Sequence, residues 1–462
     1  MFSLTIDDGH HDCSGLRRRD LLRIGTLAIG GLALPQLLAV RTRASGNDLS
    51  DCVREKSVVF LFLAGGPSHI ETFDPRMDTP EGVRSLTGEI STSLPGITFG
   101  ATFPGLAARA HKLAIVRSFH HAVNDHVKAI RHVFTAGNPL DASAGALYAR
   151  LRGTNDPETA MPTTGLVSAE EVDPQYRNER SRVKAASGPG SLGSAYSPFD
   201  PASDRGALDL MRLRIPRQRL EDRRSLLRSL DNARRAFDQG GMVEALSEYE
   251  RQAFDLILRD AGAALDLTRE DPGLVARYDT GGFSVGHKKK RPCSLGRQLL
   301  MARRLVELGC GFVTVQNAGW DMHADGNNPG IEAGMRMLGS PLDHAVSVFL
   351  DDLDARGLSD RVLLVITGDF GRTPRINKRG GRDHWASLST LALAGGGLAM
   401  GQVIGRSSRG VDIPGSDPVT PQMLLATLLH LLFDVPRLRL LAEVPREIIA
   451  FLNTTQPIHG LI

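Results

Sequence analysis

VLLVITGDFGRTPRINKRGGRD, residues 362–383, followed by His384 and Trp385, decides the reading of the fold. It opens as an unbroken apolar run, VLLVIT, the composition of a strand buried on both faces rather than one. The run stops at Gly368-Asp369, passes through a polar loop with Arg372 and Arg375, and reaches Asp383-His384 before apolar residues resume at Leu388. One loop therefore carries carboxylates and an imidazole to the end of a buried strand. Open α/β sheets bind their ligands at the carboxyl ends of the strands.

Three more apolar runs share this design. Val58–Ala64, VVFLFLA, ends in Gly65-Gly66-Pro67-Ser68-His69. Lys112–Arg117, KLAIVR, ends in Ser118-Phe119-His120-His121, with Asn124-Asp125-His126 opening a helical stretch beyond it. Gly311–Gln316, GFVTVQ, ends in Asn317-Ala318-Gly319-Trp320-Asp321-Met322-His323. A further strand is expected at Leu388–Ala394. Helices are expected at Leu295–Glu307, around Leu342–Ala355, and at the C-terminus, where Thr420 caps a helix before Pro421. The expected fold is α/β, a mostly parallel central sheet between helical layers.

Between about Leu140 and Lys290 the pattern changes. Residues 152–206 are loop-like, and 217–265 show apolar residues at three- and four-residue steps, as in an amphipathic helix. This stretch, 141–290, reads as a helical cap inserted over the site.

At the N-terminus, Arg17-Arg18-Arg19-Asp20-Leu21-Leu22 precedes an apolar, glycine-diluted stretch from Ile24 to Val40. It is too short for a comfortable membrane span and reads as an export signal over residues 1–44, with cleavage after Ala44 or retention as an anchor. The mature chain is expected to have no stable membrane span. A net charge of +3 over 462 residues excludes a case for nucleic-acid binding. The four cysteines lack C-x-x-C spacing, which leaves Cys293 and Cys310 as a pair or as free thiols.

Asp321, His323, Asp369 and His384 form an imidazole–carboxylate set suited to one or two divalent metal ions, zinc, manganese or iron. Asp383 reads as a partner orienting His384. Arg372 and Arg375 suit a tetrahedral anion, because a planar guanidinium can bind one through two hydrogen bonds. Ser68 lies beside them as a substrate ligand or a helix cap.

The twin-arginine start, GGPSHIETFDPR, the Ser118–His126 stretch, GWDMHAD, GDFGRTP and RDHW together resemble a family of exported bacterial proteins of unknown function. That family is sulfatase-like and grouped within the alkaline-phosphatase superfamily. The resemblance covers nearly the whole chain. It implies an alkaline-phosphatase-like three-layer sandwich over residues 45–462, export through the twin-arginine machinery, and a periplasmic or extracellular location. The implied activity is metal-dependent hydrolysis of phosphate or sulfate esters, on anionic small molecules or polysaccharides. The alternative is a non-catalytic binding or assembly protein on the same scaffold. Within the superfamily pattern Asp321 and His323 match an Asp-x-x-x-His pair shortened by two residues, Asp369 the Asp of Asp-His, and His384 a later His. Gly65-Gly66 stand in place of the first-strand Asp, with His69 and Asp74 as nearby substitutes, so the implied metal set is His69, Asp321, His323, Asp369 and His384. Asn124-Asp125-His126 stand where a Ser, Thr or modified Cys nucleophile would open a helix, which puts His126 and Asn124 at the reaction centre with Arg372.

Overall fold

Seven strands form the central sheet of this computed structural model, which describes residues 49–168, 176–200 and 265–462. The chain divides into two compact units, Met1–Cys52 and Val53–Ile462; of the first, only the short turn Leu49–Cys52 is described. The expected export signal, 1–44, lies outside the described residues. In the second unit the strands are β1 (Ser57–Ala64), β2 (Leu113–Val116), β3 (Thr164–Ser168), β4 (Phe312–Ala318), β5 (Val362–Gly368), β6 (Leu391–Gly395) and β7 (Gln402–Ile404). Their order across the sheet is β7-β2-β6-β5-β1-β4-β3. β1 pairs in parallel with β4 and with β5, so that Phe60 lies between Thr314 and Val365. β6 runs against both of its neighbours, β2 and β5, and is the one reversed strand of the seven.

Alternation along β1 shows why the sheet is central. Successive side chains of a strand point to opposite faces. Val59, Leu61 and Leu63 enter a core shared with α5 (Leu295–Glu307) and α6 (Ser340–Ala355). Phe60 and Phe62 face the other way and meet Phe134 of α2 (His126–Thr135), with ring centroids 5.4 and 4.9 Å apart. Both faces are covered, as the unbroken apolar runs require.

Other helices of this unit include α1 (His69–Thr72), α3 (Ala144–Arg152), α4 (Arg177–Ala186) and α7 (Pro421–Leu432). α7 is capped by Thr420, whose hydroxyl accepts from the Met423 amide. The expected strand over Leu388–Ala394 begins only at Leu391, because the residues before it turn out of the loop that carries His384. Within 141–290, Thr164–Ser168 lies in register with Phe312–Gln316 as an edge strand of the central sheet. The helical stretch expected over 217–265 lies outside the described residues but for its last one. Cys293 and Cys310 are buried and not joined by a disulfide, and burial pushes the Cys310 thiol up to about 12. Among the described residues no helix is long and apolar enough to cross a membrane.

The six strands of common direction end at one edge of the sheet. The ends of β1, β4 and β5, together with the loop that leads from β2 to α2, deliver the polar clusters there.

Candidate metal centre

Close backbone approach builds the floor of the site. Gly65 and Gly66 adopt φ of +111° and +88°, a region that favours glycine. A Cβ on Gly65 would lie 2.6 Å from the Asp321 amide nitrogen, and one on Gly66 2.8 Å from the Phe370 ring. These two glycines thus let the ends of β1, β4 and β5 meet. The Gly65 amide donates to Asp369 Oδ1 at 3.0 Å, and the Trp320 amide to the Ala64 carbonyl at 3.1 Å.

Asp321 is the hub. His323 Nε2 lies 2.8 Å and His384 Nε2 3.3 Å from its Oδ1, and His126 Nε2 lies 3.5 Å from its Oδ2. Ligand atoms of His126, Asp321 and His384 all lie within 4.8 Å of one another, a group that could hold a metal ion. His323 Nε2 is also 2.9 Å from His384 Nε2. Two imidazole nitrogens at that separation share one proton or face a common cation, since two protons there would clash. Three imidazoles and a carboxylate form a donor set suited to zinc and neighbouring divalent transition ions.

Each of two histidines is held from behind. His126 Nδ1 is 2.6 Å from Oδ2 of the fully buried Asp369, and His323 Nδ1 is 3.1 Å from Asp383 Oδ1. A carboxylate on one ring nitrogen keeps the proton there and turns the lone pair of the other outward, the usual support of a metal-bound histidine. Asp369, expected as a ligand, lies behind the His126 ring, on its Nδ1. Asp383, expected to orient His384, orients His323. His126, expected at the reaction centre as a nucleophile or ligand, lies with Asp321 and His384. It opens α2 directly after Asp125, whose side chain caps the helix by accepting from the Lys128 amide.

Charge is balanced inside the cluster. Arg372 is fully buried and donates to Asp321 Oδ1 at 2.6 Å, to the Gly66 carbonyl at 2.7 Å, and to the carbonyls of Gly65 and Arg382. Burial alone would raise the Asp321 carboxyl, but Arg372 and the three imidazoles hold it well below the usual carboxylate range. Burial opposes charge on His126, yet Asp321 and Asp369 on its two nitrogens outweigh this and lift it from 6.5 to about 9. His384 moves the other way, lowered by burial and by Arg372 against the pull of Asp321.

The other expected site residues lie elsewhere. His69 is buried, with Nε2 on the Val411 carbonyl at 3.0 Å, and burial lowers it to about 4, so it is a neutral structural ring. Ser68 caps α1 by accepting from the Glu71 amide at 3.4 Å. Asn124 Oδ1 accepts from the Ala386 amide at 2.7 Å, which ties the start of α2 to the chain just after His384. Arg375 is exposed. Arg372, expected to clamp an anion, spends its fork on Asp321 and on backbone carbonyls.

Sequence reasoning missed His121 and Glu179. His121 Nε2 donates to the Asp369 carbonyl at 2.6 Å while its Nδ1 accepts from the Val123 amide, which fixes the tautomer; burial lowers this ring to about 4. Glu179, on α4, accepts from the Gly319 amide at 3.0 Å. Burial, with Asp369 and Asp321 nearby, raises its carboxyl to about 8. His121 had a signal in the paired histidines after β2. Glu179 had none, because it reaches the site from a polar helix without a motif.

Residues 55–441 match the family DUF1501, described as a protein of unknown function. The chain belongs to that family. No curated protein matches it. Among solved structures, the phosphonate monoester hydrolase SpPMH from Silicibacter pomeroyi is 11% identical over 81% of this chain and 73% of its own, with a TM-score of 0.37. The PsFucS1 sulfatase from Pseudoalteromonas sp. is 12% identical over 82% and 68%, at 0.33. A mutant TAB5 alkaline phosphatase with magnesium bound is 10% identical over 76% and 95%, at 0.31. Across likenesses this distant no residue of the chain takes a role from a counterpart.

Proposed function

We propose that this protein is a metal-dependent hydrolase of phosphate or sulfate esters, exported by the twin-arginine route and acting outside the cytoplasm. The observation that carries the reading is the convergence of His126, His323 and His384 on Asp321, with Asp369 and Asp383 behind two of the rings. His126, Asp321, His323 and His384 would hold one zinc or manganese ion. Bound there, a divalent cation supplies Lewis-acid polarisation of an ester oxygen and activation of water. Asp369 and Asp383 keep protons on the Nδ1 atoms, so that both Nε2 lone pairs face the centre. Arg372 neutralises Asp321 at Oδ1 and leaves Oδ2 turned toward His126. No hydroxyl or thiol opens α2, so the reading assigns attack on the ester to water rather than to a side chain.

One observation favours a second reading, a non-catalytic binding protein on the same scaffold. Arg372, expected to bind the anion, and Asn124, expected at the reaction centre, are engaged with the protein itself. Elemental analysis of the purified protein, paired with a panel of phosphate and sulfate esters, separates the two. Hydrolysis of a panel member, with one equivalent of zinc or manganese that is lost in Asp321→Ala/His384→Ala, supports the enzyme. Stoichiometric metal with no hydrolysis supports the binding protein. Absence of metal from protein purified under metal-replete conditions refutes the centre.

A further inference from the structure

Beneath the cluster lies an ion pair that the proposed chemistry does not use. Glu71, on α1, and Arg382, two residues before His384, are both completely buried. Arg382 Nη2 and Nε lie 2.9 and 3.2 Å from Glu71 Oε1. The same guanidinium donates to the carbonyls of Val83 and Arg84, both at 3.0 Å, of Thr373 at 3.2 Å, and of Pro374. Glu71 is as fully engaged, accepting from the Ser85 hydroxyl at 2.7 Å and from the amides of Leu86 and Thr87 at 3.1 and 3.2 Å.

The Arg382 backbone faces the site. Its amide donates to the carbonyl of Met322, the residue between Asp321 and His323, at 3.0 Å. Its carbonyl accepts from Arg372 at 3.2 Å. Arg382 thus touches, through its own peptide groups, the turn that bears two of the cluster's residues and the cation that neutralises Asp321. The chain then continues directly into Asp383 and His384.

A buried ion pair is a poor device for stability alone, since well-packed apolar residues of similar volume are often as stabilising or more so. What a forked guanidinium provides is fixed geometry. We propose that the Glu71–Arg382 pair is the positioning element of the metal centre, setting the separation between His384 and the Asp321–His323 turn. The inference rests on the metal-centre reading above and names the residues on which that centre's geometry depends.

The test compares wild type with Arg382→Lys, Glu71→Gln, and the apolar double variant Glu71→Leu/Arg382→Met. Zinc affinity is measured by competition with a chromophoric chelator, geometry by the visible spectrum of the cobalt-substituted protein, and stability by unfolding of the metal-free protein. Arg382→Lys keeps the charge but loses the fork. It is expected to bind zinc about 10–100-fold more weakly, the usual cost of losing a ligand's outer support, and to change the cobalt spectrum. The double variant is expected to unfold at or above the wild-type midpoint while still binding weakly. A pair that served stability alone would give the opposite: affinity and spectrum would return with stability in the double variant. That result overturns the inference, as does wild-type affinity in Arg382→Lys. If a single variant fails to fold, the double variant decides. Wild-type protein that binds no zinc removes the metal reading itself, whereas wild-type protein and variants that bind alike remove only the positioning role.

Discussion

Replacing Asp369 by Asn changes one atom and sets two hydrogen bonds against each other. In the wild type, Asp369 Oδ2 faces His126 Nδ1 at 2.6 Å and Oδ1 faces the Gly65 amide at 3.0 Å. Both partners donate, and a carboxylate can accept from both. An amide cannot. If its oxygen stays on Gly65, its NH2 meets His126 Nδ1, and the ring must move its proton to Nε2, where the metal would bind. If the amide flips, its NH2 confronts the Gly65 N–H in a buried site. Either way the centre loses its oriented lone pair or the floor loses a bond. Loss of such a partner typically weakens metal binding 10–100-fold, or about 1.4–2.7 kcal/mol.

The pH dependence follows from the same pair. His126 is lifted from 6.5 to about 9 in the metal-free fold, so its charged form stabilises that fold fully below about pH 6.5 and the contribution is lost as pH rises through about 9. Metal must displace this proton, so apparent zinc affinity should climb with pH up to about 9. With one carboxylate removed, the climb in Asp369→Asn should finish at lower pH while the plateau stays weaker. Competition titrations across pH, with 15N imidazole spectra to read the tautomer, measure both. Wild-type affinity in Asp369→Asn, with the proton still on His126 Nδ1, would refute the reasoning.

Other perturbations separate scaffold from site. Gly65→Ala should destabilise the fold by about 1–3 kcal/mol for its backbone conformation alone, and also weaken metal binding, because the new Cβ would press on the Asp321 amide; urea midpoints and zinc titration check this. Ser68→Ala should cost about 1 kcal/mol of stability as a lost cap and leave zinc affinity and ester turnover unchanged, whereas a substrate ligand at 68 would show in KM. Glu179 is raised from 4.5 to about 8, so the folded state holds more protons than the unfolded one across that window. Its contribution is complete below about pH 4.5 and falls as pH rises to about 8. Glu179→Gln should therefore flatten the decline in unfolding temperature of metal-free protein between pH 5 and 8, and an unchanged slope would contradict the raised carboxyl.

How much of this was legible in the sequence depended on whether a property was local. VLLVIT and VVFLFLA read as buried strands because burial on both faces imposes an unbroken apolar run, which no helix packing of the chain is needed to see. Asp321, His323 and His384 were visible because strand ends rarely carry such residues for turning alone. Their partners were not. Asp383 adjoins His384 in sequence, but His384 sits in a two-residue ladder with Arg372, where neighbouring side chains point to opposite sides. Asp383 therefore serves His323, 60 residues away. The roles of Asp369 and His126 depend on which ring nitrogen holds the proton, and no spacing encodes that. Arg372 looked like an anion clamp because a guanidinium shows its capacity in the sequence but not its commitments. The polar strand ends pointed to the edge of the sheet where these side chains gather, while the glycines at 65 and 66 had meaning only once the strand ends were seen to touch.

The same dispersal has a thermodynamic consequence. His126 and Asp369 are 243 residues apart, and Asp321 and His384 are 63 apart, so the centre has no counterpart in the unfolded chain. Closing loops of that size before any metal contact forms is entropically costly, which makes folding precede capture. A cation that binds only the native state stabilises it by mass action, about 2.7 kcal/mol at a hundredfold excess over Kd. The unfolding temperature should then rise with the logarithm of free metal concentration, so that a melting curve becomes a gauge of affinity for any ion the chain accepts, whatever ester it acts on.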